Sequence, residues 1–419
     1  MDKAAHLLAQ KFVEDHTKIL IVPHANVDPD GLSSALACYH VFTALGKECT
    51  VICPDTLPES LEFLPGYEKL TQELHDTQDA IITLNCSKGV EIDKLRYSIE
   101  ENKVNIIVTP KKGMLNAGDV SFTEGAFPYD GIVVVDSADL KLLGSLSIEH
   151  EKFFRRVPIL NIDHHISNSK FGNVVLLEPG AASATEVLYR LFSSSPEWKS
   201  HITPDVATLL LTGLITDTRS FQNPNTTPES LEVAAELLDQ GARQQEIIKY
   251  IYKTKPLSTL KIWGRALNRI QVNAKEHIVW SSISREDLQE MEASSKETHG
   301  IIDELLTTIP EADVHVLFTE VEEGGLKASM RSNETIDVSA LAGKLFGGGG
   351  HSRAAGFRVK GYDNFQMVVV ESVQKIIEEM KAQRGEVPAI PSHASENSDI
   401  PRAKAKDSAG TDVLKELTE

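Results

Sequence analysis

The stretch Lys18-Ile-Leu-Ile-Val-Pro-His24-Ala-Asn-Val-Asp28-Pro-Asp30-Gly31 decides the fold. Ile19 to Val22 is an unbroken apolar run rich in β-branched residues, which reads as a strand buried on both faces. It stops at Pro23-His24, and His24, Asp28 and Asp30 then fall within seven residues. From Gly31 the apolar positions Leu32, Ala35, Leu36, Val41, Phe42 and Leu45 follow a helical rhythm that Gly46 ends. A buried strand, a polar loop and a helix open an α/β sheet, and such sheets bind their ligands beyond the carboxyl ends of their strands.

Working outward, the same unit recurs. Thr50-Val-Ile-Cys53, Ile132-Val-Val-Val135 and Val157-Pro-Ile-Leu-Asn-Ile162 are further strands, and the last two run directly into Asp136 and Asp163. Ala80-Ile-Ile-Thr-Leu84 and Val104-Asn-Ile-Ile-Val108 flank a polar stretch read as helical, which predicts a βαβ unit there. Ala207 to Leu214 is an apolar helix leading to Thr216-Asp217-Thr218, and Thr227-Pro228 caps another that runs to Gln240 before Gly241. The predicted fold class is α/β: a mostly parallel sheet flanked by helices over residues 1–240, with an insertion at about 80–130. Linking helices follow at 241–270, and a smaller α/β domain at 271–384 carries the strands Ile278–Ile283, Val314–Phe318 and Leu326–Met330. The active site is expected in the cleft between the domains. From about 385 the chain is rich in Pro, Ser, Ala and charge, and a disordered tail is expected.

A chain of 419 residues accommodates two domains and a tail, and 41% hydrophobic with 25% charged residues is ordinary for a soluble protein. No apolar run is long enough to cross a bilayer, and the first residues read as an amphipathic helix rather than a signal peptide, so a cytoplasmic protein with no membrane partner is expected. The four cysteines, Cys38, Cys49, Cys53 and Cys86, show no CxxC spacing and read as reduced thiols. A net charge of −19 argues against a surface that tracks a long nucleic-acid tract and suits a compact substrate held by a few directed contacts.

Five segments carry the chemistry: His24 to Asp30, Asp136, Asp163-His164-His165, Asp217, and Gly347-Gly348-Gly349-Gly350-His351. Singly, each has an ordinary reading as cap, turn, surface pair or flexible loop. Jointly, four carboxylates and two imidazoles at strand ends or helix entries can converge on one crevice, where divalent cations offset their mutual repulsion. Mixed Asp/His ligation suits two divalent ions, Mn²⁺ first, with Mg²⁺, Co²⁺ or Fe²⁺ open. Such a pair of metals can share a carboxylate and clamp a phosphoryl group around a bridging hydroxide.

In this order, His-x-x-x-Asp-x-Asp, the strand Asp, Asp-His-His, Thr-Asp-Thr and Gly-Gly-Gly-His resemble the DHH phosphoesterase family with its DHH-associated C-terminal domain, over nearly all of residues 15–385. The resemblance implies metal ligation by His24, Asp28, Asp30, Asp136, His164 and Asp217, with Asp136 as the bridge. It implies that Asp163 orients an imidazole and that His165 faces the substrate phosphate. It further implies substrate binding by Gly348, Gly349, Gly350 and His351, by Arg331, whose guanidinium suits a substrate phosphate, and by Ser332.

Two departures stand out. About 105 residues separate the first motif from Asp136, and Asn85 also follows a strand and could occupy the second-motif position; the interval of about 27 residues to Asp-His-His favours Asp136. Arg219 stands where Thr-Asp-Thr is typically followed by Gly, placing an extra cation near the metals. The nearest branch resembles the short-chain oligoribonucleases, some of which also remove the 3′-phosphate from phosphoadenosine phosphate. The expected function is therefore two-metal hydrolysis of short oligonucleotides or small nucleotide phosphates. Alternatives are cyclic or linear dinucleotide hydrolysis, polyphosphate cleavage, and non-catalytic nucleotide sensing, the last tied to Asn85. The insertion could serve as a homodimer contact or as a lid.

Overall fold

A computed structural model describes residues 3–55, 57, 59–87, 89–321, 325–333 and 335–385. The tail expected from about 385 lies almost wholly outside the described residues. The chain divides into two compact units, one through Thr254 and one from Lys255.

Among the described residues the first unit carries ten strands: β1 (Lys18–Pro23), β2 (Glu48–Ile52), β3 (Leu70–Thr71), β4 (Ala80–Leu84), β5 (Glu91–Glu100), β6 (Lys103–Lys112), β7 (Val120–Glu124), β8 (Gly131–Val135), β9 (Ile159–Asp163) and β10 (Val174–Leu177). Six form one sheet in the order β10-β9-β8-β1-β2-β3, every pair parallel. The apolar runs are continuous because both faces are covered. Ile19, Ile21, Val133, Val135, Leu160 and Ile162 face one core, and the alternate residues Leu20, Val22, Ile132, Val134 and Ile159 face the other.

The first core is closed by the helices α1 (Lys3–Asp15) and α2 (Pro29–Ala44) and, beyond the short α3 (Ser145–Glu149) and α4 (Glu151–Arg156), by α5 (Ala184–Ser193), α6 (Pro196–Lys199), α7 (Pro204–Asp217), α8 (Pro228–Asp239) and α9 (Gln244–Tyr252). Phe42 sits at its centre, fully buried and edge-on to Phe192 and Trp198 with ring centroids 6.3 and 6.0 Å away. Phe42→Ala is expected to cost about 3–5 kcal/mol of stability, read as a lower urea midpoint at unchanged slope.

The βαβ unit expected near 80–110 is corrected. Residues 91–100 form β5, not a helix, and β5 pairs antiparallel with β6; β4 pairs antiparallel with β7. The polar stretch alternates with period two (Leu95, Tyr97 and Ile99 between charged residues), which is a strand pattern. Asn85 therefore follows a strand outside the parallel sheet, and its N–H bonds Asp119 O.

The second unit opens with α10 (Leu257–Asn268) and builds a mixed sheet, β11-β12-β13-β14-β16-β15, in which only β12 and β13 run parallel. Its strands are β11 (Gln271–Asn273), β12 (Ile278–Ile283), β13 (Val314–Val321), β14 (Gly325–Ser332), β15 (Gly349–His351) and β16 (Ala354–Lys360). After the short α11 (Arg285–Glu290) and α12 (Ile301–Glu304), helices α13 (Val338–Phe346) and α14 (Phe365–Gln383) cover one face, whereas α10 and α12 cover the other. The two helices read as linkers thus belong one to each core: Ile247 of α9 to the first, Ile262, Trp263 and Ala266 of α10 to the second.

Candidate functional site

The order of the parallel sheet reverses at β1: β2 lies on one side and β8 on the other, the place where open α/β sheets leave a crevice. Register then sets the site. Pro23 pairs with Val135, and Val135 with Ile162, so the following residues His24, Asp136 and Asp163 emerge side by side. Helix α2 enters with Asp28 as its N-cap, bonding Gly31 N–H at 2.9 Å, and with Asp30 in its first turn. Helix α7 ends on Asp217, where the helix dipole disfavours a carboxylate and invites a cation.

Three sets of side chains lie close enough to hold an ion, each with ligand atoms within 4.8 Å of one another: His24, Asp28 and Asp136; Asp30, His164 and Asp217; and Asp136 with Asp163, His164 and His165. The sets share Asp136 and His164, so they are contiguous. His24 Nε2 is 3.7 Å from Asp28 Oδ1 and 3.6 Å from Asp136 Oδ2. His164 Nε2 is 3.6 Å from Asp136 Oδ1 and 3.4 Å from Asp217 Oδ2. These separations exceed hydrogen bonds, but two ligands each about 2.1 Å from a common ion stand roughly 3.0–3.5 Å apart. Asp136 is 3% exposed, its backbone is left-handed with φ 52°, and its Oδ1 is buried with no hydrogen-bond partner. A buried carboxylate oxygen facing imidazole nitrogens without a bond to any of them fits a divalent cation.

Charge in the site follows the same logic. Burial works against a charged His24, yet Asp136 and Asp28 push it up to about 11, so a proton there serves where a metal would. Burial, and then the charge of Asp136 against the relief from His164, holds Asp217 up at about 6. Burial first and then Asp136, Asp217 and Asp28 raise Asp30 well above the usual carboxylate range. Asp30 is anchored at the N-terminus of α5: it accepts from Ala184 N at 2.7 Å, Thr185 N at 3.1 Å and Thr185 Oγ1 at 2.8 Å.

His24 and His164 both have their inner nitrogens committed to carbonyls, His24 Nδ1 to Ala25 O at 3.0 Å and His164 Nδ1 to Ala181 O at 3.3 Å, which leaves Nε2 of each facing the cluster. Asp163 is fully buried and saturated: Oδ1 accepts from His165 Nδ1 at 2.8 Å and Oδ2 from Asn168 Nδ2 at 2.6 Å. His165 keeps nearly half of its side chain exposed, at 47%, and the hydrogen bond to Asp163 raises its pKa against the opposing burial. Sequence reasoning missed Asn168, which also bonds Asn161 Oδ1 at 2.9 Å, because an Asn after a His pair reads as a turn residue. It also missed Thr185 and Gly213, whose roles come from helix packing. Arg219 begins a run of three left-handed residues, Arg219, Ser220 and Phe221, that reverses the chain after Asp217.

In the second unit, Lys327, Ser329 and Arg331 alternate along β14 and line one face of a recess of about 240 Å³ with His299, Asp303 and Thr319. Arg331 is clamped by Asp303 through Nε–Oδ1 at 2.6 Å and Nη2–Oδ2 at 3.0 Å. Lys327 Nζ lies 3.4 Å from His299 Nε2, and burial, then the nearby Lys327, lowers His299 so that the neutral ring accepts. Ser332, the neighbour of Arg331 in the sequence, points to the opposite face of the strand and donates to Ile336 O at 2.7 Å. Gly349, Gly350 and His351 form the exposed edge strand β15, while Gly348 precedes it. A Cβ on Gly348 would stand 2.7 Å from Phe357 Cβ, and one on Gly350 2.6 Å from Ala355 Cα, so both glycines are required for close strand approach.

The DHH family N-terminal domain matches residues 18–214 and the DHHA1 domain matches residues 278–383. The chain is 28% identical over 360 residues to the bifunctional oligoribonuclease and PAP phosphatase NrnA of Thermus thermophilus, spanning 85% of this chain and 89% of that protein. The Bacillus subtilis NrnA is 24% identical over 282 residues, covering 66% and 85%. An exopolyphosphatase-related protein from Bacteroides fragilis superposes with a TM-score of 0.71 at 21% identity, covering 91% of this chain and 98% of the other, and shares the fold. With a DHH domain followed by a DHHA1 domain, the chain belongs to the DHH phosphoesterase family.

Proposed function

We propose that this enzyme hydrolyses phosphoester bonds in short oligonucleotides and small nucleotide phosphates, using two divalent cations, Mn²⁺ first. The observation that carries this reading is Asp136: a buried carboxylate with one orphan oxygen, shared between two sets of ligands. His24, Asp28 and Asp136 would hold one ion, and Asp30, His164, Asp217 and Asp136 the other. Bound there, the ions supply an activated water and neutralise charge on the phosphoryl group. His165, held in orientation by Asp163 and Asn168, donates to the phosphoryl oxygen as negative charge builds on it. Arg331, fixed by Asp303, and Lys327 bind a second phosphate of the substrate. The similarity to the two NrnA proteins favours short oligoribonucleotides and phosphoadenosine phosphate over other esters.

The test is Mn²⁺-dependent turnover of a labelled dinucleotide beside a 20-mer and phosphoadenosine phosphate. Rapid loss of the dinucleotide with the 20-mer intact supports the reading; intact substrates in every tube defeat it. His165→Ala is expected to lower kcat about 10²–10³-fold with metal affinity retained, since His165 acts on charge in the transition state. Lys327→Ala is expected to raise KM by about tenfold with little change in kcat, measured on the dinucleotide.

A further inference from the structure

The β5–β6 ribbon carries a surface used by neither the parallel sheet nor the ligand cluster. Its register places Leu95 opposite Val108, Tyr97 opposite Ile106 and Ile99 opposite Val104. Side chains alternate along a strand, so these six residues share one face. Leu95, Tyr97, Ile99, Val104 and Ile106 are 67, 74, 70, 63 and 45% exposed, and Val108 is half-buried. The other face is mostly polar, with Lys94, Arg96, Ser98 and Glu100 opposite Thr109, Ile107, Asn105 and Lys103, and Ile107 is the apolar residue among these eight. A two-stranded ribbon gains independent stability only when its apolar face packs on another layer.

We propose that this face is where a second copy of the chain docks, ribbon against ribbon, on a two-fold axis passing beside the central Tyr97–Ile106 pair. Area and charge favour a second copy. The exposed apolar face amounts to roughly 600 Å² per copy, at the upper end of what monomers leave bare. Two such faces remove about 1,200 Å² from water, the lower bound of a stable specific interface. A partner must therefore be as apolar and as elongated as the ribbon, which another ribbon is. The chain carries a net charge of −19, so two copies repel over most of their surfaces. Residues 91–112 hold five basic and four acidic side chains, so approach is least opposed at the ribbon. A polyanion would instead require a concentrated basic surface. The contact is isologous, each Tyr97 meeting the same patch of the other copy, so it closes at two.

The experiment is sedimentation of the full chain at tens of micromolar. The parent is expected at twice 46.0 kDa. Tyr97→Lys and, separately, Tyr97→Glu each set like charges against each other at the axis and are expected to weaken the dimer at least 100-fold, giving the single-chain mass with an unchanged circular dichroism spectrum. Opposite charges with the same outcome tie the effect to the face rather than to the sign of the charge. A parent at the single-chain mass overturns the proposal, as do variants that remain paired. Binding of a single-stranded oligonucleotide by a monomeric parent, lost in Tyr97→Glu, would assign the face to nucleic acid instead.

Discussion

Asp136→Asn is expected to abolish Mn²⁺-dependent hydrolysis, by at least 10³-fold, while the metal-free protein unfolds within a few degrees of the parent. The substitution preserves shape and removes one negative charge from a crevice that also holds Asp28, Asp30 and Asp217. Its Oδ1 has no hydrogen-bond partner to lose. On the proposed two-metal reading, what disappears is the one carboxylate common to two of the candidate ligand sets, and with it the stabilisation that bound metal would confer. A ligand at 100 times its Kd stabilises the folded state by about 2.7 kcal/mol. For a unit of this size that is roughly a 5–10 °C rise in Tm for the parent on adding Mn²⁺. The variant should show no such rise. A variant that keeps the thermal shift, or retains more than a few per cent of the turnover, removes Asp136 from the site.

Gly213→Ala is expected to destabilise the fold by several kcal/mol and to eliminate activity, although on helix propensity alone alanine would stabilise by about 1 kcal/mol. Gly213 lies inside α7, and an added Cβ would overlap Asp30 Oδ1 and stand 2.5 Å from Thr185 Oγ1 and Cγ2. Helix α7 could then no longer approach α2 and α5, and Asp30 would lose either its place beside His164 and Asp217 or its bonds to the start of α5. The opposite signs of the two expectations make a urea melt decisive. A stabilised Gly213→Ala protein would show that α7 can shift without disturbing the ligand set.

The sequence by itself determined the class of the first unit, because strands buried on both faces must be apolar throughout, as in Ile19–Val22 and Ile132–Val135. It also marked the candidate ligands that the fold brings together, since His24, Asp136 and Asp163 each follow such a run. The cap at Thr227-Pro228 was legible for the same local reason: the Thr227 hydroxyl accepts from Ser230 N–H. The insertion was misread because a short polar segment between strands fits a helix until the two-residue alternation of Leu95, Tyr97 and Ile99 is weighed.

Only the tertiary structure decided which strands are neighbours. Asp136 stands beside His24 because β8 pairs with β1 across a long connection, and pairing at that separation is set by how helices cover both faces of the sheet rather than by any local signal. The same holds for Asn168 against Asp163, for Asp303 against Arg331, and for Gly213 against Asp30. Each depends on the distance between packed elements, which residue order does not encode locally. Local physics specifies elements and their ends; packing specifies which ends meet.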